Sequence, residues 1–100
     1  MSMKDNEAPS IVLDGGYSAE TVVNAKLNAT HKIQGYTYSD NKTRVEKLSM
    51  SVMVLKPTGE LFVEAENIIT LDCKGEWRII YYCIDGEGNA TTEYYTVKVQ

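Results

Sequence analysis

The feature that most constrains the fold is the run from Trp77 to Asp85, which is apolar at almost every position. Residues two apart lie on the same face of an extended strand, so this run divides into two sets. One set is Trp77, Ile79, Tyr81 and Cys83, and the other is Arg78, Ile80, Tyr82 and Ile84. Apolar side chains on both faces predict a central strand, and we expect the face with Trp77 to point into the core.

Turn signals divide the rest of the chain into short strands. Gly86 and Gly88 supply the backbone freedom of a tight reversal after the central strand, and Pro57 and Gly59 mark a second hairpin. Apolar or β-branched runs between such signals predict further strands over residues 10–13, 21–24, 33–39, 48–55, 61–63, 68–71 and 91–99. Residues 24–31 are polar, and the pattern leaves a turn or a short helix open there. The sequence therefore predicts an all-β, two-sheet antiparallel sandwich of about seven strands.

Length and charge limit what such a domain can do. A chain of 100 residues has room for one core, and we assign residues 1–8 to a linker or a cloning tail and residues 9–100 to the domain. The net charge of −4, with scattered lysines and arginines, argues against a nucleic-acid partner. No apolar run approaches the roughly 20 residues needed to cross a bilayer as a helix, so we expect no direct membrane insertion.

The C-terminal third resembles the last two strands of bacterial immunoglobulin-like domains. The resemblance is carried by residues 75–89, with the sequence Gly-Glu-Trp-Arg-Ile-Ile-Tyr-Tyr-Cys-Ile-Asp-Gly-Glu-Gly-Asn, and by the closing Val97-Lys98-Val99. The opening Ala8-Pro9-Ser10-Ile11 is also similar to the first strand of such domains, whereas residues 17–33 show no clear match. The resemblance implies an immunoglobulin-like sandwich.

It also implies a role. Domains of this family occur in tandem in secreted or surface-anchored bacterial proteins, where they act as spacers or binding modules. We therefore expect a non-catalytic, extracellular or cell-surface module that contacts neighbouring domains of its own chain or a protein partner. A carbohydrate-binding module that uses exposed tyrosines is the alternative, with Tyr17, Tyr36, Tyr38 and Tyr94 as candidates.

The alternation also predicts a candidate binding surface. If the Trp77 set points inward, the other side of the central strand carries apolar and aromatic side chains where solvent is expected. The neighbouring strands should contribute to the same face. The predicted binding residues are Met53, Leu55, Ile80, Tyr82, Ile84 and Tyr94. Apolar patches of this kind mark partner sites, although cross-strand packing or a covering loop would explain them equally well.

No pattern in the chain predicts catalysis, a cofactor or a metal site. His31 is the only histidine and is expected on the surface or partly packed. Cys73 and Cys83 flank the start and the end of one strand, too far apart for a disulfide, so we expect two free thiols. The acidic segment 5–9 is similar to a calcium-binding linker, but together with Asp40 or Asp85 it supplies too few oxygens within one domain.

Overall fold

The chain folds into strands joined by turns, with one 3-10 turn at Asp14–Gly16 and no other helical element among the residues described. The computed structural model describes residues 8–40, 48–63 and 67–100. The strands are β1 (Ser10–Leu13), β2 (Val22–Ala25), β3 (Thr30–Lys32), β4 (Tyr36–Ser39), β5 (Ser49–Leu55), β6 (Leu61–Val63), β7 (Ile68–Thr70), β8 (Gly75–Ile84) and β9 (Ala90–Val99).

The strands form one five-stranded sheet and two short ladders. The sheet has the order β2-β9-β8-β5-β6, and the ladders are β1-β4 and β3-β7. All pairs are antiparallel except β2 and β9, which run parallel with Val23 beside Val97. β8 and β9 pair along their whole length, and β8 also pairs with all of β5, so β8 is the central strand.

Strands β3 and β4 lie end to end and exchange partners at the bend between them. The N–H of Ile33 donates to the carbonyl of Asn67 at 2.7 Å, which extends the β3-β7 ladder by one residue. At the other end of the bend, the N–H of Asp14 donates to the carbonyl of Gly35 at 2.8 Å, beside the β1-β4 ladder. The two ladders are therefore two halves of one layer that meets the five-stranded sheet across the core.

The core lies between these two layers. From the sheet it receives Val54, Trp77, Ile79, Tyr81, Cys83, Tyr95, Val97 and Val99, and from the remainder of the chain Ile11, Leu13, Leu48 and Leu71. Tyr17, Ile33, Tyr36, Tyr38 and Ile69 pack against this cluster from the second layer and its connections. Trp77 is 2% exposed and its indole N–H donates to the carbonyl of Cys73, so the inward orientation predicted for this residue is confirmed.

Lys56 closes one end of the core beside the β5-β6 turn. Its Nζ lies 2.8 Å from Oδ1 of Asp72 and 4.0 Å from Oε2 of Glu60. The same ammonium lies 5.3 Å from the centroid of the Trp77 ring and 5.6 Å from that of Phe62. The hydrogen bond that Lys56 donates to Asp72 raises the pKa of Lys56 against the opposing effect of burial, so the charged form ties this turn to the β7-β8 loop.

Two sequence predictions need correction or completion. The described residues contain nine strands rather than about seven, and β3 lies in residues 24–31, where the sequence pattern allows a turn or a short helix. The sheets are not purely antiparallel, because β2 joins β9 in parallel. Pro9 is buried and its carbonyl accepts a hydrogen bond from the hydroxyl of Thr91, so the chain is already anchored there; residues 1–7 lie outside the described part.

Candidate functional site

Strand register brings the predicted binding residues onto one face of the five-stranded sheet, opposite the core. In one row across three strands, Met53 lies beside Ile80 and Ile80 beside Tyr94. On one side of this row, Leu55 lies next to Arg78. On the other side, the next row places Tyr82 between Ser51 and Thr92, and the row after it places Ile84 between Ser49 and Ala90. We call the six residues Met53, Leu55, Ile80, Tyr82, Ile84 and Tyr94 the outer face.

Two further apolar residues, which the sequence analysis did not identify, extend this surface. Leu61 pairs with Leu55 from β6, and Val22 lies beside Thr96 from β2. Both are more exposed than the outer face itself, at 47% for Leu61 and 52% for Val22. β2 is a short run whose partner β9 is distant in sequence, so the local pattern could not assign Val22 to this face. Leu61 belongs to the predicted hairpin with β5, and the register of that hairpin places it beside Leu55.

The outer-face side chains are half-buried although they point away from the core. Each lies directly opposite or diagonal to apolar neighbours on adjacent strands, and such pairs cover one another. Both ladders of the second layer pack against the core side of the sheet, so no described strand covers the side that carries the outer face. The surface is therefore continuous over β5, β8 and β9.

Arg78 gives the outer face one oriented cation. Its guanidinium carbon lies 4.8 Å from the centroid of the Tyr94 ring, diagonally across the β8-β9 pair. Arginine stacked on an aromatic face in this way keeps its donors directed outward while its plane is fixed. Glu76 and Lys98, which pair with each other, form the charged border at one end of the surface.

His31 lies on the inner side, where it joins a group of hydroxyls between the layers. Its Nε2 is 2.7 Å from the hydroxyl of Tyr95, and the N–H of Gln34 donates to the same hydroxyl at 3.1 Å. The hydroxyl of Tyr81 donates to the carbonyl of Gln34 at 2.6 Å. Burial lowers the pKa of His31 and raises the pKa of both tyrosines, so all three groups are uncharged near neutral pH. The expectation of a partly packed histidine is confirmed.

The thiols are free, as the sequence predicts. Cys83 is fully buried in the core and Cys73 is half-buried in the β7-β8 loop. Burial raises the pKa of Cys83, which keeps this thiol protonated and poorly nucleophilic. Within residues 8–40, 48–63 and 67–100, no three acidic, histidine or cysteine side chains come together as a metal site would require.

Asp85 has a structural role in the β8-β9 turn. Its Oδ1 accepts hydrogen bonds from the N–H groups of Glu87 and Asn89, each at 2.9 Å, and its Oδ2 accepts from the side-chain amide of Asn89. Burial alone would raise the pKa of Asp85, but these hydrogen bonds outweigh it and hold the pKa below the ordinary value. Of the acidic segment 5–9 that is similar to a calcium-binding linker, residues 5–7 lie outside the described part of the chain.

The four candidate tyrosines do not form one exposed platform. Tyr17, Tyr36 and Tyr38 are half-buried and pack against the core. Tyr17 meets Tyr95 edge-on at 5.0 Å between ring centroids, and Tyr36 meets Tyr81 at 5.3 Å. Only Tyr94 lies on the outer face, where Arg78 covers it. A flat stacking surface for sugar made from these four rings therefore has little support in the geometry.

Comparisons with known proteins add no relatives. No family model, curated protein or solved structure matches the chain. Across the described residues, no helix has the length and apolar character to cross a membrane.

Proposed function

We propose that this chain is a non-catalytic, immunoglobulin-like module of a bacterial surface or secreted protein, and that its outer face contacts another domain of the same kind. The strand arrangement supports the first part. A five-stranded sheet built around β8 and β9 faces a layer made of β1, β3, β4 and β7, and the N-terminal segment contributes β1 to one layer and β2 to the other. The resemblance of residues 75–99 to bacterial immunoglobulin-like domains points the same way.

The observation that supports the proposed contact is the continuous apolar outer face. A sheet face exposed to water normally carries polar side chains, whereas here Met53, Ile80 and Tyr94 form one row across three strands. Protein contact surfaces have apolar centres rich in aromatic residues, methionine and arginine, with a polar rim. The outer face has this composition, with Glu76 and Lys98 at its border.

Charge favours a domain of the same kind as the partner. Arg78 is the only charged side chain within the four rows, and no carboxylate of a described residue lies within ion-pair distance of it. The chain as a whole carries 14 acidic against 10 basic residues, so a second copy or a similar neighbour carries a net negative charge, which favours its approach to Arg78. Opposite charges of this kind favour encounter and fix orientation.

Self-association of the isolated chain tests the proposal. In a tandem protein, linkage raises the effective concentration to the millimolar range, so the contact between separate copies is expected to be weak. We expect amide signals of β5, β8 and β9 to shift with protein concentration in NMR spectra up to about 1 mM. The double variant Ile80→Ser, Tyr82→Ser should remove these shifts while retaining the fold.

Charge variants separate a specific contact from general stickiness. Arg78→Glu should weaken association, and Lys26→Glu, which makes the same change in net charge at an exposed position after β2, should not. A chain that stays monomeric at the highest concentration, with no concentration-dependent shifts on the outer face, contradicts the proposed contact. Equal effects of the two charge variants also contradict it.

A further inference from the structure

The bend between β3 and β4 opens a polar cleft at the side of the two layers, separate from the outer face. A cavity of about 290 Å³ is lined in part by Gln34, Tyr36, Ser51 and Asn67. A neighbouring cavity of about 490 Å³ shares Gln34 and Asn67 and adds Asp14 and Lys32. We call the two together the bend cleft, and its volume is that of sites that hold small molecules.

Buried hydroxyls fix the backbone that forms this cleft. Tyr81 donates to the carbonyl of Gln34 and Tyr95 accepts from its N–H, so both polar groups of the bend residue are held from the core. The side-chain amide of Gln34 donates in turn to the carbonyl of Asp14 at 2.7 Å. A site whose backbone is already ordered loses less conformational entropy when a ligand binds.

This arrangement departs from what packing alone requires. Phenylalanine would fill the positions of Tyr81 and Tyr95 without burying two hydroxyls, and a buried hydroxyl is tolerated only when it is hydrogen-bonded. Both hydroxyls converge on one bend residue, Gln34, and its carbonyl and N–H would otherwise lack partners. Polar groups placed against the rules of a core often support a functional site.

The Asp14 carboxylate lies beside Gly35 in the lining of the bend cleft. A Cβ at this position would displace Oδ2 of Asp14 from its present place, so the carboxylate lies directly against the Gly35 backbone. Asn67 is fixed from its backbone, because its carbonyl accepts from the N–H of Ile33 at 2.7 Å, while its side chain is exposed. The cleft therefore combines an exposed carboxylate at Asp14 with an exposed amide at Asn67.

We propose that the bend cleft binds a single neutral sugar residue. Sugar hydroxyls both donate and accept hydrogen bonds, which suits a carboxylate acceptor at Asp14, an ammonium donor at Lys32 and an amide at Asn67 that does both. The charges of Asp14 and Lys32 balance, which favours an uncharged ligand over an anion or a cation. Tyr36 adds aromatic surface at the other end for the C–H face of the ring.

This site differs from an exposed tyrosine platform and does not depend on the outer-face contact. The platform would need several coplanar rings, whereas the bend cleft uses one tyrosine together with polar side chains. The two proposals also fail separately, because variants of the outer face leave the cleft residues unchanged.

NMR titration of the chain with glucose, galactose, mannose and N-acetylglucosamine tests the inference. A small ligand in an open site binds in the millimolar range, so each sugar is added to about 50 mM. We expect saturable shifts confined to amides at residues 14, 32–36 and 67 for at least one sugar. Asp14→Ala and Asn67→Ala should weaken binding at least tenfold, and Asn24→Ala, an exposed asparagine on β2, should not.

Two controls define the result that overturns the inference. Glycerol at the same concentration should give no saturable shift, and glucuronate or inorganic phosphate should bind more weakly than the neutral sugars. Thermal unfolding checks that Asp14→Ala and Asn67→Ala remain folded, since both keep the backbone groups used in the fold. Absence of saturable shifts with all four sugars, tighter binding of the anions, or equal effects of the three variants contradicts a neutral sugar site.

Discussion

The hydroxyl of Tyr95 on β9 lies 2.7 Å from Nε2 of His31 on β3, so one hydrogen bond joins the two layers across their interior. The Tyr95 oxygen also accepts from the N–H of Gln34. Because a hydroxyl can both donate and accept, the imidazole tautomer decides which partner donates in the bond to His31. We infer that His31 is neutral, because burial lowers its pKa.

Removal of the Tyr95 hydroxyl should destabilise the fold more than its size suggests. In Tyr95→Phe, the N–H of Gln34 and Nε2 of His31 both lose their partner within the core. An unsatisfied buried polar group costs about 1–3 kcal/mol, so we expect the free energy of unfolding to fall by roughly that amount. Urea unfolding followed by Trp77 fluorescence measures the change.

Tyr94→Phe provides the matched control for this variant. Tyr94 precedes Tyr95 on the same strand but faces outward, and its hydroxyl makes no hydrogen bond to a described residue. Its loss should change the free energy of unfolding by no more than about 0.5 kcal/mol. Equal effects of the two substitutions would show that the interlayer hydrogen bonds contribute nothing.

Stability should decrease when His31 becomes protonated. Burial lowers the pKa of His31 below its ordinary value of about 6.5, so the unfolded chain binds a proton more readily than the folded chain. The free energy of unfolding is therefore highest above pH 6.5 and should fall as the pH drops through about 6.5 toward the folded-state pKa. Because His31 is the only histidine, His31→Gln should flatten the profile between about pH 7.5 and 5. An unchanged slope in the variant would contradict this assignment.

Alternation and turn residues predicted the strands that dominate the sheet. The inward set of Trp77, Ile79, Tyr81 and Cys83 is buried, and the glycines of the β8-β9 turn lie where the reversal occurs. These features are local, since a strand with apolar residues on both faces and a two-glycine turn are visible within 15 residues of sequence.

The features that the sequence did not predict depend on strand partners that are distant in sequence. β3 contains Thr30 and Lys32 and turns only His31 inward, so its polar sequence carries no strand pattern. It forms because β7 pairs with it, and Asn28, with a φ of 69°, makes the left-handed turn that precedes it. The parallel register of β2 with β9 and the bend cleft at Gln34 likewise arise from long-range contacts that no local pattern contains.

Asp85 should control the stability of the β8-β9 turn. Asp85→Ala removes the oxygen that accepts from the N–H groups of Glu87 and Asn89, so we expect a lower melting temperature at neutral pH. Asp85→Asn keeps an acceptor oxygen and should recover part of the loss. Because the pKa of Asp85 is held below its ordinary value, the wild-type advantage over Asp85→Ala should be present above about pH 4 and decrease as the pH falls below it. Calorimetry across this range measures both effects, and a pH-independent difference would contradict them.

Three glycine-to-alanine substitutions separate backbone strain from steric conflict. Gly75 has a φ of 124°, and a Cβ there would lie 2.8 Å from Cβ of Pro57. Gly59 has a φ of 93° with open space around it, and Gly86 has neither constraint. A left-handed or related conformation costs a residue with a Cβ about 1–3 kcal/mol, and overpacking adds about 1–3 kcal/mol. We therefore expect the loss of unfolding free energy to be largest for Gly75→Ala, intermediate for Gly59→Ala and near zero for Gly86→Ala. If Gly75→Ala and Gly59→Ala lose the same free energy, the contact between Gly75 and Pro57 does not constrain this end of the fold.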